Sequence, residues 1–196
     1  MCNRKKIFML LTLVILALAA CQKDVQNPLN YQLKPFTYVD QNNKDYGLDN
    51  LKGKVWIADF IFTNCETICP PMTANMSKLQ QELKKKGIDN VEFVSFSVDP
   101  ENDKPAVLKS YINQFNADSS RWHLLTGYTQ KEIESFAMNN FKIIVQKPKS
   151  SDQVIHGTKF FLVDDKVTVK QEYEGVKQVP FEQIINDIQI VQNNAK

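Results

Sequence analysis

The sequence predicts an α/β domain built on a mixed central sheet with flanking helices and an N-terminal β-hairpin. Three observations carry that prediction. Two apolar runs of strand length, residues 55–62 and 91–98, are each followed by a segment whose apolar residues recur at helical spacing. Ahead of them stand two short strand-like stretches around an Asn-rich turn, and behind them two more around Asp164-Asp165-Lys166, then a last helical segment. The order is hairpin, then β-α-β-α-β-α, then hairpin and helix, which argues for a mixed sheet.

The first twenty residues read as an export signal rather than as part of the fold. Arg4, Lys5 and Lys6 give a positive start, residues 7–17 are apolar apart from Thr12, and Leu18-Ala19-Ala20 precede Cys21. An apolar core this short suits a secretory signal peptide, not a membrane span. A cysteine directly after Leu-Ala-Ala resembles the lipobox of bacterial lipoproteins, in which Cys21 would be lipidated and become the mature N-terminus. An uncleaved N-terminal anchor is the alternative. Both readings place the domain at the cell membrane on its extracytoplasmic side. Residues 21–34, polar and containing Pro28, are expected as a tether, and residues 35–196 as the domain.

Removing the signal takes away Arg4, Lys5 and Lys6 and no acid, which lowers the formal net charge from +2 to −1. That argues against a nucleic-acid partner. It also leaves Cys65 and Cys69 as the free thiols of the domain, since Cys2 departs with the signal and Cys21 is expected to be acylated. Two cysteines four apart close too small a loop to staple a domain of this size, so the pair is expected to be chemical.

Along the domain, residues 36–39 and the stretch around Tyr46-Gly47-Leu48 form the hairpin. Gly53 opens the run to Phe62, which is apolar at nearly every position and therefore expected to be covered on both faces. Met72, Met76, Leu79 and Leu83 make an amphipathic helix, with Lys84 to Lys86 near its end and Gly87 as its stop. Pro105 sits at a first helical position ahead of Leu108, Tyr111 and Ile112. Residues 122–127 form a short strand, and Thr129 with Glu132 matches a capping box for the next helix. Residues 141–145 are expected as a short strand, 147–152 as a polar loop, 154–163 and 167–173 as paired strands, and 180–191 as the final helix.

The dithiol Cys65-Glu66-Thr67-Ile68-Cys69 lies between the first buried strand and its helix, the thioredoxin-like layout. Such a pair can close a disulfide, hold a soft metal or attack a substrate. Pro70 and Pro71 each disfavour the α conformation in the residue before them, so both cysteines are expected in a loop with the helix starting at Pro71. Cys69, nearest the helix N-terminus, is expected to carry the lowered pKa. A metal held by two thiolates calls for a third donor, and His123 and His156 are the histidines available. His123, inside Trp122-His123-Leu124-Leu125, reads as a strand-face residue, whereas His156 stands at a strand start beside Gly157. Two thiolates and an imidazole suit Cu(I), or Cu(II) with one further oxygen or nitrogen donor. Structural zinc usually takes four protein ligands.

Residues 59–70, residues 97–105 (Ser97-Val98-Asp99-Pro100-Glu101-Asn102-Asp103-Lys104-Pro105), residues 122–127 and residues 156–163 (His156-Gly157-Thr158-Lys159-Phe160-Phe161-Leu162-Val163) together resemble the Sco/SenC family of copper-binding assembly factors. The likeness spans about residues 35–192. It implies a thioredoxin-like fold in which Cys65, Cys69 and His156 bind one copper ion. The implied role is in building the dinuclear copper A centre of cytochrome c oxidase subunit II. The resemblance also implies that Asp99 or Asp103 lies near the site as a fourth ligand or a partner contact, where the residues themselves suggest turn and helix-capping duty before Pro105. His123 departs from the family's Trp-led motif. The second functional class is a thiol-disulfide oxidoreductase that keeps the oxidase's copper-site cysteines reduced, or draws on a thiol-disulfide reductant itself. A thiol peroxidase would need an activating arginine, and Arg121 is the one arginine left after the signal. His156 separates copper binding from exchange, because only metal binding demands a third donor.

Overall fold

The structure is a computed structural model that describes residues 24–195. The export signal, Cys21 and the start of the tether lie outside the described residues. In chain order the elements are β1 (Tyr31–Gln32), β2 (Thr37–Val39), β3 (Asp45–Gly47), α1 (Leu48–Leu51), β4 (Val55–Ile61), α2 (Cys69–Lys85), β5 (Val91–Ser97), α3 (Pro105–Ile112), β6 (Trp122–Leu125), α4 (Gln130–Phe136), β7 (Lys159–Val163), β8 (Thr168–Glu174) and α5 (Phe181–Asn194).

A six-stranded sheet runs β1-β8-β7-β4-β5-β6, with β4, β5 and β6 parallel and β7, β8 and β1 antiparallel to their neighbours. β2 and β3 pair separately as the expected hairpin. All seven residues of β4 are buried, as an apolar strand in mid-sheet must be. Strand alternation gives β4 two different faces. Trp56 and Phe60 meet a cluster of rings from Phe96, Phe141 and Phe161, while Asp59 lies on the opposite face. Helix α2 buries Met72, Met76, Leu79 and Leu83, the predicted stripe. The capping box at α4 is formed, with Thr129 N donating to Glu132 Oε2 at 2.6 Å and Glu132 N to Thr129 Oγ1 at 3.3 Å. This mixed sheet with its helices is a thioredoxin-like arrangement.

Three local expectations differ from what the fold shows. Residues 24–34 do not stand off as a tether: β1 pairs with β8, Leu29 N and Leu33 N donate to Lys170 O and Val167 O, and Val25 and Leu33 are buried. An unpaired β8 edge is a template for another strand, and this segment covers it. Residues 141–145 are not a strand. A π-helical turn, Ala137–Phe141, extends α4 and ends on Lys142 at φ 59°. Residues 154–158 precede β7 rather than belong to it, held by one bridge between Gln146 and Ile155. No helix among the described residues is long and apolar enough to cross a membrane.

Candidate metal centre

Strands β4 and β5 end side by side, and their exits are stitched together before the dithiol begins. Val98 N donates to Ile61 O, and the buried Asp103 carboxylate accepts from Thr63 N, Thr63 Oγ1 at 2.5 Å and Ser97 Oγ at 2.6 Å. Burial raises the Asp103 pKa, with the Ser97 and Thr63 bonds pulling against it. Cys65 follows in a tight turn, its N–H reaching back to Phe62 O at 3.4 Å.

Helix α2 begins at Cys69 itself, with Ile68 as N-cap and Pro70 and Pro71 inside the first turn. The expected start at Pro71 is therefore too late. First-turn N–H groups have no intrahelical partner, so prolines there forfeit nothing, and their fixed φ already suits a helix. Nor do the sulfurs stand out in solvent, since Cys65 is 6% exposed and Cys69 0%.

The assignment of the activated thiol is reversed from expectation. N–H groups at a helix start point out of the helix toward whatever precedes it, and Cys65 Sγ stands there, accepting from Cys69 N at 3.3 Å. Burial pushes the Cys65 thiol up, but hydrogen bonds from His156 and from the N–H groups of Cys69 and Thr67 outweigh it and bring it down to about 6. Burial drives the Cys69 thiol the other way, well above its ordinary value, and the neighbouring Cys65 and Asp59 charges add to the rise. Alkylation by iodoacetamide at neutral pH should therefore reach Cys65 first, with a rate that rises through an apparent pKa near 6. Peptide mapping of the first-modified cysteine checks this, and prior labelling of Cys69 would contradict it.

His156 completes the group. Its Nδ1 lies 2.9 Å from Gly157 O, and a carbonyl can only accept, so Nδ1 carries the hydrogen. Nε2 then faces the sulfurs, 3.5 Å from Cys69 Sγ; in the imidazolium form it donates to the Cys65 thiolate, and in the neutral ring it offers a lone pair to a metal. The ring edge packs against Phe62 at 5.7 Å and 84°. Two soft sulfurs and one imidazole nitrogen with its tautomer fixed by an outer hydrogen bond fit copper as a donor set. Among the described residues no three such side chains are already spread as a metal shell. These three instead bond to one another, and a metal would replace those contacts.

The other expected residues are each engaged with partners of their own. Asp99 is fully buried, with one carboxylate oxygen 2.7 Å from Lys147 Nζ and the other accepting from Asn102 Nδ2 at 2.8 Å. Asp103 is committed to Thr63 and Ser97, so both carboxylates are engaged by other groups. His123 on β6 stacks on Tyr46 at 3.6 Å and reaches Asp40 Oδ2 at 3.4 Å, a strand-face role. Burial lowers its pKa, with Asp40 and Glu92 pulling it back. Arg121 precedes β6 at the end of the parallel strands opposite the dithiol, a strand length of about 20 Å away. Asp59 was missed. It is completely buried on β4, and neither carboxyl oxygen has a hydrogen-bond partner. Burial raises its pKa to about 7, with Ser95 and His156 pulling it back. The available signal was one acid inside the run Val55 to Phe62.

The SCO1/SenC family model matches residues 25–192. The SCO1 protein homolog of Bacillus subtilis (strain 168) is 51% identical over 177 residues, covering 90% of this chain and 91% of the relative. The crystal structure of a SCO1/SenC family lipoprotein from Bacillus anthracis str. Ames superposes with a TM-score of 0.83 at 49% identity, covering 85% of this chain and 98% of that one. BsSco, described as a member of the Sco family of cytochrome c oxidase assembly proteins with a disulfide switch, gives 0.80 at 50% identity, covering 87% and 98%. Copper-bound ScoI of Bradyrhizobium japonicum gives 0.68 at 26% identity, covering 82% and 99%. A match that runs from the docked N-terminal segment to the final helix takes in the whole sheet together with the dithiol and His156, and on it the chain belongs to the SCO1/SenC family.

Proposed function

We propose that this chain is a membrane-tethered, extracytoplasmic copper-binding protein that assists assembly of the dinuclear copper A centre of cytochrome c oxidase. Copper, one ion per chain, is its cargo, taken by Cys65, Cys69 and His156 when the dithiol is reduced. The observation that carries this reading is the His156 ring, with Nδ1 bonded to Gly157 O at 2.9 Å and Nε2 3.5 Å from Cys69 Sγ. Two thiolates cancel the charge of Cu(II), which suits a buried site, and three soft donors suffice for Cu(I). A disulfide lacks the thiolate donors, so oxidation would switch uptake off. The likeness to a copper-bound ScoI and to a family of oxidase assembly proteins supports the cargo and an oxidase partner, whose subunit II this reading takes as the recipient. The likeness to a lipoprotein supports a lipid anchor on Cys21.

The test is a copper titration of the reduced and the oxidised protein, followed by absorption. One copper per reduced chain with thiolate-to-metal charge transfer, and none on the disulfide form, is expected. Copper retained by the disulfide, or bound no better than zinc, would count against it. Deleting the protein should lower a copper A oxidase and spare a quinol oxidase.

The oxidoreductase reading has its own support in the Cys65 thiol, brought down to about 6 and so mostly thiolate at neutral pH. Cys65 would attack a partner disulfide and displace one partner thiolate. Cys69 would then lose its proton and attack Cys65 Sγ, releasing the second partner thiol and leaving the internal disulfide. The buried Cys69, whose pKa is driven up, makes that second step slow. Copper binding therefore stands first.

A further inference from the structure

We propose that the Asp99–Lys147 ion pair is a positioning device that holds His156 within reach of the dithiol, so that two residues touching no metal set how tightly copper is held. The inference rests on the copper reading above. His156 belongs to no helix or strand. It rides on an arm, residues 142–158, that leaves the π turn at Lys142 and rejoins the sheet at β7. The arm closes on itself once, where Gln146 N and Ile155 N each donate to the other's carbonyl at 2.9 Å. Lys147 and His156 directly follow the two residues of that rung, so what fixes Lys147 fixes the histidine.

Little else holds the arm down. Ile144 and Ile155 are 62% and 57% exposed, and apolar contact comes from the buried Val145 and Val154, the half-buried Ile143 and the His156 ring against Phe62. A segment with so few buried apolar groups opens at low cost unless polar ties restrain it. Gln153 Nε2 offers one such tie, donating to Asn64 O at 3.3 Å across the arm's tip. At the arm's two ends Ile143 N donates to Ala137 O at 3.4 Å, and Thr158 accepts from Gly175 N at 2.8 Å and donates to Glu174 Oε1 at 3.2 Å; between those ends the remaining ties to other elements converge on Lys147. Its Nζ donates to Asp99 Oδ1 at 2.7 Å and to Glu101 Oε2 at 3.2 Å, and its backbone N to Glu134 Oε1 at 3.1 Å.

Asp99 is the fixed end of the tie. It is fully buried two residues past the end of β5, its N–H donates to Ser97 Oγ at 3.1 Å, and its second oxygen takes Asn102. Glu101 is 71% exposed at its side chain, where water competes for the ammonium, so it adds little. A carboxylate buried this deeply must keep its counter-charge, and removing the lysine leaves it unpaired. The aspartate implied by family resemblance as a fourth ligand or partner contact thus acts on the site through the arm.

The test is a double-mutant cycle on Cu(I) affinity, measured by competition with a chromophoric chelator, using Asp99→Asn, His156→Ala and the double variant. Asn at 99 strands no buried charge, and Lys147 can turn to water, so this variant is the gentler one. Asp99→Asn combined with Lys147→Met, which removes both charges and strands neither, is the second variant should Asp99→Asn alone fail to fold. Asp99→Asn is expected to weaken copper at least tenfold in the native background and less than twofold where His156 is already alanine. An equal loss in both backgrounds shows general loosening and overturns the proposal, as does no loss in either. Should His156→Ala by itself leave affinity unchanged, the copper reading fails and the positioning role with it. A loss from His156→Ala with none from Asp99→Asn sinks the positioning role alone.

Discussion

In the His156→Ala protein copper will be held about a hundredfold more weakly or worse, and the same change will slow thiol exchange at neutral pH. The first effect follows from donor count. Removing even an outer partner of a metal ligand costs ten- to a hundredfold, and here a proposed ligand itself is lost. The second follows from the hydrogen bond by which His156 helps hold the Cys65 thiol down at about 6. Without the ring, burial goes less opposed and the thiol moves back up toward its ordinary range. Exchange should therefore fall at pH 7 and recover at pH 9, where an ordinary thiol ionises. The expectation from residues alone was that exchange would proceed without the histidine, and the geometry makes that true only in alkali. Rate against pH for the two proteins decides it. A parallel loss at every pH would show that His156 orders the dithiol rather than tuning its charge.

Asp59→Asn should remove a decline in stability that the native protein suffers between pH 4 and 8. The Asp59 carboxyl is raised by burial to about 7, from an ordinary value near 4 in the unfolded chain. Between those values the folded protein binds a proton that the unfolded chain has released, so stability is full below pH 4 and falls as pH rises toward 7. Three pKa units correspond to about 4 kcal/mol. Asparagine carries no titratable proton, and the difference between the two unfolding curves isolates the group. Denaturant melts of the copper-free reduced protein at pH 4.5 and 8 should show the variant gaining about 2 to 4 kcal/mol over the native protein across that interval. A constant difference would mean that Asp59 finds a counter-charge on ionising.

The parts of this molecule that were legible were those whose cause is local. Seven consecutive buried positions in β4 follow from an apolar run, and α2 follows from the spacing of Met72, Met76, Leu79 and Leu83. The structure brings into one group Cys65 and Cys69, singled out by spacing and placement, and His156, singled out by its place beside Gly157 and by a family resemblance. What could not be read depends on direction or on distant partners. Which thiol is acidic turns on where first-turn N–H groups point and how deep each sulfur lies, and spacing encodes neither. Strand β1 is polar in composition and finds its partner in β8, so nothing near it marks it as sheet. The same holds for Asp99 and Lys147, whose pairing needs the arm to fold back across the sheet's end.

The docked N-terminal segment has a geometric consequence. Asp24 is pinned to Lys170 at 3.2 Å and shares a cleft with Asp164 and Lys166, at the turn joining β7 to β8. That turn lies where Trp56 opens β4, whereas the dithiol follows Ile61 at the strand's other end. If Cys21 bears the lipid, the three steps from Cys21 to Asp24 reach at most about 10 Å, against about 50 Å for a loose tether of the length first expected. A leash that short fixes a pole. The domain would stand on the bilayer by its β7–β8 turn with the sulfurs aimed outward, about a strand's length above the lipid, offering copper to a site of that elevation and to none lying flush with the membrane.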